Sequence, residues 1–153
     1  VYCTKYALPE LIKNKGSVVG VSSIAGYRGL PGRTGYSASK FALNGFLESL
    51  RVENLKTGLH VMIASPGFTA SNIRNVALAK DGTSQGETSM DEDKMMSSDE
   101  VAAIIVKGIE QRKRSLIMTS QGKLTVFLNK IWPSWLDGLV YNHFTKEKDP
   151  LIR

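Results

Sequence analysis

The 153-residue sequence predicts an α/β fold built on a parallel sheet. Three observations carry this expectation. A helical pattern, a stop and a short apolar run occur twice in succession, as residues 1–14 then 17–22, and residues 36–55 then 60–64. The run Ser17 to Ser22 (SVVGVS) is apolar at neighbouring positions rather than alternate ones, which fits a parallel strand covered by helices on both faces. A third strand-like run, SLIMT at 115–119, follows another helical pattern. Hydrophobic residues make up 42% of the chain, enough for a core, and the length fits a single domain.

In chain order, Tyr2, Tyr6, Leu8, Leu11 and Ile12 give the first helix a loose stripe. Pro9 predicts a kink or restart within it, and Asn14-Lys15-Gly16 its stop. After the first strand, Gly26, Gly29, Gly32 and Gly35 recur every third residue. The repeat is too short for collagen and lacks the spacing and lysine of a P-loop, so it reads as a tight or flexible connection. The helix from Tyr36 to about Leu55 has a core stripe of Leu43, Phe46, Leu47 and Leu50. Beside it runs a stripe of small residues, Ala38, Ala42, Gly45 and Ser49, where another backbone could approach; Thr57-Gly58 is the expected end. His60 to Ala64 is the second strand, broken by Ser65-Pro66-Gly67. Residues 68–97 are polar and aperiodic, the length and composition of a lid or binding loop, or of disorder. Ser97 and Glu100 have capping-box spacing and open a helix with Val101, Ile104, Ile105 and Ile109 on one side. An amphipathic helical tail over 122–148 has one stripe of Leu124, Phe127, Leu128 and Ile131. A second, after Pro133, has Trp135, Leu136, Leu139, Val140 and Phe144. The tail reads as a core or dimer-facing helix pair, or as a segment making peripheral membrane contact.

Composition narrows the function classes. A single cysteine, Cys3, forms no internal disulfide and fits a reducing, cytoplasmic setting, with membrane association as the alternative. The sequence begins at Val1 inside an apolar segment with no charged leader, so residues are expected upstream. No uncharged apolar run is long enough to span a bilayer. The net charge of +6 comes from scattered basic residues, and the cluster Arg112-Lys113-Arg114 reads as a solvated helix end rather than a nucleic-acid patch. No metal-ligand spacing is present.

The chemistry is concentrated in Val18 to Lys40 (VVGVSSIAGYRGLPGRTGYSASK). Tyr36 and Lys40, at i and i+4, share a helix face. A free phenol titrates at about 10, and a neighbouring cation lowers that value. Reaching about 7 takes roughly 4 kcal/mol, more than one half-exposed lysine supplies, so a second positive group such as an oxidised nicotinamide ring is called for. A phenol tuned in this way exchanges a proton with a carbonyl or alcohol oxygen near neutral pH. Ser23, at a strand's carboxyl end, would project into the crevice where α/β folds bind ligands and could hold the reacting oxygen.

The stretch resembles the signature of the short-chain dehydrogenase/reductase family. The matching residues are Ser22-Ser23, Ala25-Gly26, Pro31-Gly32 and Tyr36-Ser37-Ala38-Ser39-Lys40, with Gly58, the 60–64 strand and Pro66-Gly67 in family positions. The resemblance is specific from Val1 to about Phe68 and looser to about Thr119. It implies a Rossmann-like, doubly wound, three-layer α/β/α fold of which residues 1–153 are the carboxyl-terminal portion, the N-terminal half being absent. It implies that Tyr36 is the general acid or base and that Lys40 holds the cofactor ribose and lowers the Tyr36 pKa. Ser23 would polarise the substrate oxygen. Ser22, Tyr36, Lys40, Pro66, Gly67, Phe68 and Thr69 would line NAD or NADP, with 68–97 as the substrate lid. The family's glycine-rich dinucleotide loop, its Asn-Ala-Gly segment and the residue choosing between NAD and NADP do not occur here. Phe-Thr-Ala-Ser after Pro66-Gly67 departs from the family's usual aliphatic residue and threonine.

The resulting expectation is a parent oxidoreductase moving hydride between NAD(P)(H) and a carbonyl or secondary alcohol. Residues 1–153 alone are expected to be inactive. Met90, Met95, Met96 and the apolar tail point to an apolar or lipid-like substrate. Helices 1–14 and 36–55 would form a homodimer or homotetramer interface, and nucleic acid is not an expected partner. The alternative is a non-catalytic fragment for dimerisation or for binding a membrane or partner.

Overall fold

β-branched and apolar residues at 17–21, 60–65 and 115–117 pair into one parallel sheet in the order β1-β2-β3. The computed structural model describes residues 1–70, 83 and 95–145. Its elements are α1 (Tyr2–Lys13), β1 (Ser17–Val21), a 3-10 turn (Ile24–Gly26), α2 (Thr34–Glu53) and β2 (His60–Ser65). They continue with α3 (Ser98–Glu110), β3 (Ser115–Ile117), α4 (Ser120–Ile131) and α5 (Pro133–Phe144). β1 meets β2 from Ser17↔His60 to Val21↔Ala64, and β2 meets β3 from Ile63↔Ser115 to Ser65↔Ile117. This is the expected α/β arrangement, a partial Rossmann-like fold.

β2 is buried along its whole length because a strand pairs with each of its edges and helices cover its faces. Val61 and Ile63 point to one face, where they pack with Leu47 and Leu50 of α2 and with Leu59. Leu8, Leu11 and Ile12 of α1, with Val18, Leu43 and Phe46, close that cluster. Each Leu or Ile buried there contributes about 1.5–3 kcal/mol. Met62 points to the other face, toward α3. A Cβ on Gly108 would lie 3.0 Å from Met62 Sδ and 2.4 Å from Leu116 Cδ1, so glycine is what lets α3 sit so close to the sheet.

Several boundaries differ from expectation. α1 runs unbroken through Pro9, which is exposed; the ring removes one hydrogen bond on a side where water can satisfy the freed carbonyl. Tyr2 and Tyr6 face solvent, and only Leu8, Leu11 and Ile12 of the expected stripe reach the core. α2 starts at Thr34 and stops at Glu53, where Asn54 Nδ2 donates to the Leu50 carbonyl. Gly58 is therefore not the helix stop; at φ +83° it turns the chain into β2. β3 ends at Ile117, and Thr119 caps α4 by accepting from the Gly122 N–H (3.1 Å). The Leu124, Phe127 and Ile131 stripe faces outward, because α4 buries its opposite side through Gly122 and Val126. Of the second tail stripe only Leu136 is buried.

The expected capping box on α3 is present, and Pro133 stands in the first turn of α5. Of the expected 68–97 lid, Thr69 and Met96 bridge its two ends; most of the rest lies outside the described residues, with Met90. Arg112 adopts φ +48° and donates to the Gly58 carbonyl (2.6 Å), so the Arg112-Lys113-Arg114 cluster is a turn held onto the sheet. Among the described residues no helix is long and apolar enough to cross a membrane, and no metal-ligating cluster occurs.

Candidate active site

The carboxyl ends of β1 and β2 lie side by side, joined past the ladder by the Ser22 N–H donating to the Ala64 carbonyl (2.7 Å). β1 delivers Ser22 and Ser23 to this edge, and β2 delivers Ser65, Pro66 and Gly67. Ser23 has an extended backbone and is the N-cap of the 3-10 turn; its Oγ accepts from the Ala25 N–H (3.2 Å). That bond leaves the hydroxyl proton of this half-buried side chain free to donate.

α2 carries the other two groups. Tyr36 is on its first turn and 46% exposed. The Lys40 ammonium sits 5.6 Å from the centre of the Tyr36 ring and donates to the Val21 carbonyl (3.0 Å), the last residue of β1. Lys40 thus ties the helix to the strand end that bears the serines. An ammonium has two further donors beyond the one used, enough for a pair of ligand hydroxyls.

Three contacts position α2 over the strand end. Ser37 Oγ accepts from the Leu30 N–H (3.1 Å), which fixes the glycine-rich connection against the helix start. Asn44 Nδ2 donates to the Gly26 carbonyl (2.9 Å) in a buried bond. A Cβ on Gly26 would lie 2.7 Å from Asn44 Nδ2, 2.8 Å from Ser22 Oγ and 3.0 Å from the Lys40 carbonyl, so the turn and the helix meet backbone to backbone. Asn44 and Ser37 were not singled out from sequence. Asn44 follows Lys40 by four residues and Tyr36 by eight, so its place on the same helix face was the available signal.

The remaining expected contacts are placed as follows. Ser22 is buried, and among the described residues neither its Oγ nor Asn44 Oδ1 has a hydrogen-bond partner. Pro66 and Gly67 are half-buried at the end of β2, Phe68 is exposed, and Thr69 Oγ1 donates to the Gly67 carbonyl (3.2 Å). A Cβ on Gly67 would meet Thr119 Cγ2 at 2.4 Å, so this turn is packed against the cap of α4. Tyr27, after the 3-10 turn, has its phenol pushed up by burial. The turn itself is tied to the tail: Arg28 pairs with Asp137 and donates to Asn129 Oδ1 (3.0 Å), and Asn129 Nδ2 donates to the Tyr27 carbonyl (3.0 Å). The strand end therefore bears a serine hydroxyl and is met by the Lys40 ammonium, which brings the Tyr36 ring within 5.6 Å of its charge, beside two glycine-containing turns. Such a set can bind an oxygen and move a proton to or from it.

A family model described as short chain dehydrogenase matches residues 1–82. "Dehydrogenase/reductase SDR family member 7B" of Danio rerio is 33% identical over 138 residues, which cover 88% of this chain and 44% of that protein. "Dehydrogenase/reductase SDR family protein 7-like" of Drosophila melanogaster is 33% identical over 136 residues, 88% of this chain and 42% of that one. The chain thus spans under half the length of these relatives. A short chain dehydrogenase from Burkholderia cenocepacia, solved in complex with NADP, has the same fold (TM-score 0.67, 20% identity), covering 86% of this chain and 50% of its own.

Proposed function

This chain belongs to the short-chain dehydrogenase family, and from that premise we propose that its parent protein is an NAD(P)-dependent oxidoreductase acting on a carbonyl or secondary alcohol. The observation that carries the reading is the Lys40 ammonium, which spans from the Tyr36 ring to the strand end that presents Ser22 and Ser23. The donor set fits the nicotinamide–ribose end of a dinucleotide. Lys40 has donors to spare for ribose hydroxyls, the buried Ser22 Oγ lacks a partner among the described residues, and Pro66, Gly67, Phe68 and Thr69 follow the neighbouring strand end. Nothing in this donor set distinguishes NAD from NADP. When bound, the nicotinamide ring supplies or accepts the hydride.

The chain's own residues do the rest. Ser23 donates a hydrogen bond to the substrate oxygen and fixes it beside Tyr36. Tyr36 gives its phenol proton to that oxygen in reduction and takes it back in oxidation. Lys40 favours the negative charge that the phenol oxygen acquires when its proton leaves. Asn44 and Ser37 hold α2 at the height that this transfer needs. These groups address one end of the cofactor only, so residues 1–153 alone are expected to show no turnover, and the activity is assigned to the parent. The outward faces of α1 and α2 expose Tyr2, Tyr6, Phe41 and Val52 beside Ala38, Ala42 and Gly45, which suits a homo-oligomer interface.

Replacing Tyr36 with Phe in the parent protein tests the assignment. Nicotinamide-linked turnover of a carbonyl panel should fall about 10²- to 10⁴-fold, the worth of a positioned acid–base group. The unfolding midpoint should hold, because the tyrosine is 46% exposed. Turnover that survives the change would remove Tyr36 from the chemistry.

A further inference from the structure

We propose that the outward face of the α4–α5 hairpin docks on an anionic lipid surface. Leu124, Phe127, Leu128 and Ile131 follow the spacing i, i+3, i+4, i+7 and form one stripe on α4. The helix buries its other side, through Gly122 and Val126, against the rest of the fold. The stripe is therefore presented to solvent: Leu124 is 57% exposed, Phe127 56% and Ile131 47%. Trp132 and Trp135 continue it across the helix junction, at 59% and 56%, and with Leu128 line a shallow open groove. A surface helix ordinarily turns its polar side outward; α4 turns an apolar one.

Charge selects the occupant. α4 has no aspartate or glutamate, while Lys123 and Lys130, seven residues apart, flank the stripe on one side. Asp137, the acidic residue of α5, stays exposed, and its charge is answered by the Arg28 guanidinium with which it pairs. An apolar strip bordered by lysines and indoles, on a helix without carboxylates, matches the headgroup boundary of an anionic membrane. Packing the α4 stripe against a second copy of itself would bring two sets of lysines together across helices that carry no carboxylate. The hairpin is also tied to the turn that follows Ser23 by Arg28 and Asn129, so docking would set the candidate active site beside the lipid surface.

Trp132 and Trp135 are the only tryptophans in the chain, so emission excited selectively from tryptophan, apart from the five tyrosines, reports this face, and no turnover is needed to read it. The full chain is mixed with phosphatidylcholine vesicles containing about one-fifth phosphatidylserine, and with phosphatidylcholine alone. The expected result is flotation with the anionic vesicles and a blue shift of the emission, both weakened by high salt. Lys123→Gln and Lys130→Gln should each weaken binding about fivefold. Phe127→Glu with Ile131→Glu should weaken it at least tenfold, roughly. Failure of the wild-type chain to float with anionic vesicles overturns the proposal. So does dissociation of an oligomer by Phe127→Glu, which assigns the face to a second copy. A fall in the urea midpoint of that variant overturns it as well, since it would mean that the face is covered within the protein.

Discussion

Helices α2 and α3 begin in opposite ways, and the contrast separates scaffold from site. α3 carries its own start. Ser97 Oγ accepts from the Glu100 N–H (3.1 Å), the Glu100 carboxylate accepts from the Ser97 N–H (2.8 Å), and Asp99 and Glu100 lie at the positive end of the helix dipole. α2 has no such device: Arg33 at its N-cap makes no side-chain bond, and no acidic residue stands in its first turn. It is held instead from a distance, by Ser37 to the Leu30 N–H, Lys40 to the Val21 carbonyl and Asn44 to the Gly26 carbonyl. All three partners belong to β1 or to the loop that follows it, the segment that also bears Ser23. A helix capped by its own residues has its first turn fixed by local bonds, whatever it packs against. A helix placed by tertiary bonds keeps its first turn in register with a strand end, which is what a phenol and a serine acting on one oxygen require. A carboxylate in that turn would also oppose the negative charge that Tyr36 acquires in its proposed role.

The largest effect on this contrast should come from Gly26→Ala. The added Cβ meets the Lys40 carbonyl at 3.0 Å as well as the Asn44 and Ser22 side chains, so α2 must move off the turn. Overpacking of this kind costs about 1–3 kcal/mol, and the urea midpoint should fall accordingly. Turnover of the parent protein should fall further than the lost folded fraction explains, since the shift separates Tyr36 from Ser23. An unchanged midpoint would mean that the close approach is not what sets the helix.

Asn44→Ala should come next, at about 1–2 kcal/mol. It strands the Gly26 carbonyl in a buried position, but it also removes an Oδ1 that has no partner among the described residues, and the second effect offsets part of the first. The same variant should lower kcat while leaving the stability of α3 untouched, measured by hydrogen exchange in each helix. Equal loosening of both helices would show that Asn44 supports the whole domain rather than the placement of α2.

The contrast also explains what could be read in advance. Ser97 and Glu100 are three residues apart, and their bonds run between themselves, so the α3 start was legible. The α2 core stripe was legible because Leu43, Phe46, Leu47 and Leu50 share one helical face, and all four join the core around β2. Ser23, Tyr36 and Lys40 stood out as candidates because their spacing and context resemble a family signature, the i, i+4 pair alone being weak evidence. What held them did not stand out: Lys40 reaches back nineteen residues and Asn44 eighteen, and no local pattern encodes a bond across a loop. Periodicity likewise found the α4 stripe but not its direction. An apolar stripe shows that one side differs from the other, and only the packing of Gly122 and Val126 decides which side faces the sheet. The early α2 start at Thr34 was missed for the same reason as its anchors, since nothing at Arg33 or Thr34 marks a cap.

The smallest effect concerns pH and touches α3 alone. Hydrogen bonds from Ser97, the backbone N–H first, hold the Glu100 carboxyl below its ordinary value of 4.5. A carboxylate whose pKa is depressed on folding contributes stability that is present above 4.5 and is lost as pH falls through the lower folded value. Glu100→Gln keeps an acceptor for the Ser97 N–H but removes the charge and its titration. The variant should therefore be slightly less stable than wild type at neutral pH, and the gap between their midpoints should close as the solution is acidified below 4.5. α2, with no acidic residue in its first turn, should show no corresponding term, so the acid-dependent difference should appear in the exchange rates of α3 amides and not in those of α2. A gap that widens on acidification would mean that the carboxylate is not what caps α3, and the distinction between a self-capped and a tertiary-held helix start would fail at its charged end.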